Sequence, residues 1–149
     1  MTKIERMING IEYDFDKFHL LVNNGFDEGT RLATPAEVAE SKKAICHESA
    51  IFMADVFNRK HIRYFTFMFI TRNNETGKLC HHSGSTWWSH KQWQIKDSSG
   101  RLLGFKNEES LKEFLSDVFR EINAPIIDWK NLGQLKKFDW TYGEWVSQL

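Results

Sequence analysis

Three residues of this chain have the types and the order that covalent acyl chemistry requires: Cys46, His82 and Asp97. A thiolate can attack a carbonyl carbon, a histidine can hold and return its proton, and a carboxylate can fix the imidazole's tautomer. His82 follows Cys46 by 36 positions, and Asp97 follows by a further 15. Cys46 stands in KKAICHESAIFM, residues 42 to 53, where a polar lead-in meets one of the most apolar runs of the chain. In the first turn of a helix its thiolate would be favoured by the positive end of the macrodipole and by unbonded amides. The plain alternative is a small residue wanted near a core, since free cysteine is among the most buried residue types. That alternative holds if KKAI simply continues the preceding helix, because the amides are then already bonded.

The elements that must position these residues follow from local pattern. TPAE, residues 34 to 37, supplies a Thr cap, Pro at the first helical position and Glu three residues after the cap, and so starts a helix over PAEVAESKKA. SAIFMADVFNRK is apolar nearly all round apart from Asp55 and reads as a central buried helix. RYFTFMFITR is dense in aromatic and β-branched residues and reads as a buried strand, closed by the turn NNETGK. HHSGSTWWSH and KQWQIKD form a hairpin about a corner near residue 90, and GRLLGF leads to a helix capped by Asn107, with Leu111, Phe114, Leu115, Val118, Phe119 and Ile122 at helical spacing. IEYDFDKFHLLV reads as a short helix or strand, and the aromatic-rich tail IIDWKNLGQLKKFDWTYGEWV packs on the domain without an assignable element. Helices, then antiparallel strands, then a closing helix make an α+β domain in which a central helix lies on a sheet.

On this arrangement His82 begins one strand of the hairpin and Asp97 ends the next, which would make them cross-strand neighbours. TPAEVAESKKAICHES together with HSGSTWWSHKQWQIKDSSGRLLGF resembles the transglutaminase-like superfamily, a papain-like group of cysteine enzymes. The resemblance spans roughly residues 30 to 122, with the aromatic tail packing on that core to complete a single domain over 1–149. It implies Cys46 as nucleophile, His82 as general base and acid, and Asp97 as orienting carboxylate. The reaction implied is acyl transfer on a peptide, protein or small amide, as hydrolysis, deamidation or transamidation through a thioester, with no cofactor. Ala44 stands where that group often has a glycine, and Ser83 and Gly84 where it commonly has an aromatic residue after the histidine. His81 beside His82 would point to the other sheet face, so only one of the pair can serve, and the 15-residue spacing selects His82.

Twenty basic and twenty acidic residues cancel, and no run of like charge marks a nucleic-acid or anionic-membrane partner. No apolar run reaches the ~18 residues of a membrane span, and the N-terminus carries no signal-like segment, so the expectation is a cytoplasmic protein with Cys46 and Cys80 as free thiols. Two readings from other classes compete: a binding module that keeps the fold without turnover, and a zinc site using Cys80 and His82. Neighbours on a strand face opposite ways and no CxxC or HxxxH accompanies them, which weighs against a metal. Trp87, Trp88 and Trp93 could line a groove or pack as cross-strand core, and His47 and Glu48 are expected to be solvated or packing residues.

Overall fold

The computed structural model describes residues 2–149 apart from Phe26 and Ser98. Its elements are α1 (Lys3–Asn9), β1 (Glu12–Tyr13), α2 (Phe15–Asn24), α3 (Pro35–Ser41), β2 (Lys43–Ala44), α4 (Cys46–Arg59), β3 (Tyr64–Arg72), β4 (Leu79–Ser89), β5 (Gln92–Lys96), β6 (Leu102–Phe105), α5 (Glu108–Glu121), β7 (Ile126–Gly133) and α6 (Tyr142–Val146). The mixture is α+β, with a five-stranded sheet in the order β6-β5-β4-β3-β7, antiparallel throughout.

The α3 helix starts as its sequence dictates: Thr34 Oγ1 accepts from Glu37 N, and the Glu37 carboxylate accepts from Thr34 N. It stops at Ser41, three residues before the end expected from propensity. Lys42 turns left-handed at φ 58°, and the next two residues pair in parallel with β1, Glu12 with Lys43 and Tyr13 with Ala44. Glu12 N donates to Lys42 O and Asp14 N to Ala44 O, so tertiary pairing draws the main chain out of the helix. The segment that read as helix or strand is both, since β1 is followed by α2, whose first turn Asp14 caps through Lys17 N.

Ile45 is extended, and α4 begins at Cys46. What holds this start in place is Glu48, three residues past the cap and 1 % exposed. Its carboxylate accepts from Ile45 N at 3.1 Å and from Ala33 N at 2.6 Å, and it pairs with the Lys17 ammonium. One side chain thus joins α2, the loop before α3 and the first turn of α4. On the rest of α4, Asp55 faces outward enough to pair with Arg59 at 2.9 Å.

The sheet separates two cores. Even-numbered residues of β3, Tyr64 and Met68, join α4, Trp87 and the N-terminal helices, with Phe57 stacked on Trp87 at 5.2 Å. Odd-numbered Phe65, Phe67 and Phe69 join Ile95 and Leu111 beneath α5. The hairpin corner is the two-residue loop His90–Lys91, both at positive φ as a type I′ turn requires. Opposite Phe67 in the β3–β4 ladder is Gly84, where a Cβ would come within 2.6 Å of the Phe67 ring tip. The aromatic tail supplies β7, which flanks β3, and α6, whose Trp145 is fully buried. Among the described residues no helix is long and apolar enough to cross a membrane.

Replacing Glu48 by Ala leaves two main-chain donors and the Lys17 ammonium without their acceptor. Loss of about 2–4 kcal/mol of unfolding free energy is expected, and equilibrium urea denaturation measures it. A loss of a few tenths would mean that water satisfies these donors.

Candidate active site

Cys46 is the first residue of α4, half-buried at the edge of the sheet. Trp88 N donates to Arg63 O, so in the alternating antiparallel pattern the even-numbered N–H groups of β4 turn toward β3 and the odd-numbered ones turn away. On that outer side β5 pairs with β4 only over Trp87–Ser89. The Ser83 N–H therefore lies on an uncovered stretch of edge, and it is directed at the Cys46 sulfur, as is the His47 N–H. Burial pushes the Cys46 thiol up to about 11, a rise these two N–H groups oppose and the neighbouring Cys80 and Glu48 reinforce. At neutral pH the sulfur carries its proton, so any attack requires a base.

Of the two roles expected for His47 and Glu48, solvated or packing, the structure shows the second: both are buried and hydrogen-bonded. His47 is 3 % exposed, with Nδ1 at 3.0 Å from Trp145 Nε1 and 2.7 Å from Ser83 Oγ. The Tyr142 ring meets it edge-on at 5.8 Å. An indole N–H only donates, so Nδ1 presents its lone pair and the proton of this neutral imidazole sits on Nε2. Burial, with His82 and His81 nearby, holds its pKa down at about 3.

The histidine expected as base does not face the thiol. Ser83, Ser85 and Trp87 meet α4, the first through His47 and the second through Ala50 O at 2.8 Å, so His82 projects from the opposite, α5 face. There its ring stacks on Phe69 at 4.9 Å, touches Phe119 at 4.8 Å, and shares a hydrogen bond of 3.0 Å between Nε2 and Thr71 Oγ1. Burial, with His81 beside it, lowers its pKa to about 4. His81 is on the Cys46 face, half-buried, its pKa lowered by burial.

His82 and Asp97 are not cross-strand neighbours in this structure. The β4–β5 ladder stops at Trp87 opposite Gln94, and continuing its register would set Asp97 against Gly84 and Ser99 against His82. Asp97 instead closes the β5–β6 turn, accepting from Ser99 N and Arg101 N at 2.9 Å each and from Ser99 Oγ at 2.6 Å. Burial is the largest single influence and raises its pKa, but these bonds and the Arg101 charge together outweigh it and hold the carboxyl below the usual range. The structure thus brings Cys46, Ser83, His47 and Trp145 together and leaves His82 and Asp97 in separate neighbourhoods. Glu48 had a legible signal, the acidic third position of a helix start; Trp145, 98 residues beyond its partner, had none. Trp87 is core, and Trp88 and Trp93 flank the Arg63 guanidinium at 5.4 and 5.1 Å. Among the described residues no group of three His, Cys, Asp or Glu side chains is placed to hold a metal ion.

A helix-start cysteine at the edge of an antiparallel sheet is a feature of papain-like architecture, and the sequence agrees: residues 1–87 match the family model of the transglutaminase-like domain. The chain belongs to that family. The match includes Cys46, His81 and His82 and ends before Asp97. A solved structure described as the crystal structure of a TGase is similar at 21 % identity and a TM-score of 0.40, over 70 % of this chain and 26 % of that one. The chain thus spans about a quarter of that structure's length. No curated protein matches it.

Both buried imidazoles have native pKa values, about 3 for His47 and about 4 for His82, below the ordinary 6.5. The unfolded chain takes up protons below 6.5 that the native state refuses, so their stabilisation is complete above 6.5 and is lost as pH falls. Each group costs at most about 1.4 kcal/mol per pH unit in that window. Urea midpoints should drop between pH 6.5 and 4.5, and less steeply in His47→Gln and His82→Phe. Equal slopes in all three proteins would contradict the burial of these rings.

Proposed function

We propose that this protein is a cysteine-dependent acyl-transfer enzyme with Cys46 as nucleophile and His82 as the base. The observation that carries the reading is the placement of Cys46 as the first residue of α4, on the uncovered edge of β4, with two main-chain N–H groups at its sulfur. The Cys46 S–H proton passes to the histidine as the sulfur bonds to the carbonyl carbon of an amide. Collapse of the oxyanion breaks the C–N bond, and the histidine returns the proton to the departing amine. Water or a second amine then attacks the thioester and frees the thiol. The Cys46 N–H, at the helix start, is one donor to the oxyanion, of a kind worth about 3–4 kcal/mol of barrier.

Strand geometry keeps the His82 ring on the α5 face at any χ1, so it reaches the sulfur only through a local turn of the β4 main chain at residues 81–83, whereas His81 already stands on the Cys46 face. The Ser83 N–H at the thiol is bonded directly to the His82 carbonyl carbon, so the main chain that must turn already adjoins Cys46. Leaving Phe69, Phe119 and Thr71 costs about 1–3 kcal/mol. Extending the β5 ladder along β4 would set Asp97 diagonal to His82 on the α5 face, so it serves as the orienting carboxylate only where both turn toward Cys46 together. The substrate class is a peptide or other amide, whose acyl group passes to water or to a second amine.

The packed His82 ring and the Asp97 carboxylate bound within its own turn favour a second reading, a domain that keeps the fold without turnover. Incubation with a glutamine-containing peptide library, followed by mass spectrometry, separates the two, because cleavage, deamidation and amine incorporation change mass differently. Turnover by the wild type should vanish in Cys46→Ala, fall by about 10²–10⁴ in His82→Ala, and persist in His81→Ala. Loss in His81→Ala with retention in His82→Ala reassigns the base. No product from the wild type, with iodoacetamide labelling of Cys46 at the rate of an unactivated thiol, supports the second reading.

A further inference from the structure

The two N–H groups directed at the Cys46 sulfur belong to Ser83 and His47, and those two residues share one further partner. Trp145 Nε1 lies 3.0 Å from His47 Nδ1 and 3.4 Å from Ser83 Oγ, while Ser83 Oγ lies 2.7 Å from the same Nδ1. The indole proton therefore reaches both residues that hold the sulfur, one on α4 and one on β4. Trp145 and His47 are buried, and the bonds between them are shielded from water.

We propose that Trp145 is a positioning residue for Cys46: its indole N–H fixes His47 as the Nε2–H tautomer and ties α4 to β4 where their amides meet the sulfur. The proposal rests on the reading of Cys46 as the nucleophile. With Nδ1 protonated instead, the ring would present N–H to N–H toward the indole, and only the Ser83 hydroxyl would be left to accept from it. The arm that delivers the indole is itself fixed. Tyr142 N donates to Thr30 O at 2.7 Å and Gly143 N to Glu28 O at 2.9 Å, with Gly143 so close to Glu28 that a Cβ there would approach Glu28 Cβ to 2.7 Å. Trp140 packs edge-on against the indole at 5.3 Å. Trp145 also lies outside residues 1–87, the part matched by the family model. In this chain, the C-terminal segment completes the surroundings of a nucleophile carried by the N-terminal half.

Trp145→Phe keeps a buried aromatic ring and removes the N–H together with the pyrrole half of the indole. Two measurements that need no turnover test it: the ¹⁵N shifts of the His47 ring, and the pH profile of Cys46 alkylation by iodoacetamide with Cys80 replaced by Ser in both proteins. The wild type should show a protonated Nε2 and an unprotonated Nδ1. The variant should populate the Nδ1–H form, and its alkylation at pH 8 should slow about three- to tenfold as the profile moves to higher pH. A folded variant with unchanged tautomer and profile overturns the proposal. If the variant fails to fold, the wild type decides alone, since a proton on His47 Nδ1 overturns the assignment. A wild type inert toward every amide, with the tautomer and alkylation shifts as expected, refutes the enzymatic reading while leaving the indole's hold on the thiol established.

Discussion

The Glu48 carboxylate is the constraint on which the rest of the molecule depends. By accepting from Ile45 N and Ala33 N and pairing with Lys17, it decides that the chain leaves β2 extended and enters α4 at Cys46, not a turn earlier. The free amides of that first turn exist because the helix starts there. A buried charge is costly without partners, and each of these partners comes from a different part of the N-terminal half, so the start of α4 is cooperative with α2 and with the loop before α3. The main-chain surroundings of the thiol are consequently as rigid as the N-terminal fold itself.

Much of the fold was legible because it is local. The Thr34–Glu37 cap, the aromatic β3 and the helical spacing of α5 each carry their cause within a few residues. The end of α3 was not legible, since Lys42 is a good helix former and leaves the helix only because β1, thirty residues upstream, offers main-chain partners. The tail was illegible for a related reason: β7 is an edge strand of irregular register, whose residues follow no strict alternation. At the site, position along the chain located Cys46 at a helix start. It could not show that the β4–β5 ladder ends at Trp87 in a register that sets Asp97 toward Gly84, and these two facts keep His82 from pairing with Asp97. Ladder length depends on what competes for the strand, and here the Lys96 ammonium is drawn to Ile8 O and Ile11 O, on the far side of the domain in sequence.

Two physical demands meet around the thiol. Burial excludes water, which strengthens every electrostatic contact the sulfur makes, but it also disfavours the thiolate. The same burial keeps His47 and His82 neutral, so neither imidazole offsets it. The site as folded is stable and chemically quiet: the thiol keeps its proton and both buried imidazoles are neutral.

Gly84 and Phe67 illustrate how the sheet is divided between its strands. The Phe67 ring lies over the glycine, sandwiched by Trp129 at 5.0 Å and followed by Phe69 at 6.3 Å. The space beside β4, two residues beyond His82 on the same face, is thus filled by a ring from β3. Side-chain volume at this rung is a shared quantity: β4 can carry a large residue at position 84 only if β3 gives one up at position 67. The two positions act as a lock whose halves can be exchanged but not doubled, so the shape of the His82 pocket is set by a strand that contributes no chemistry.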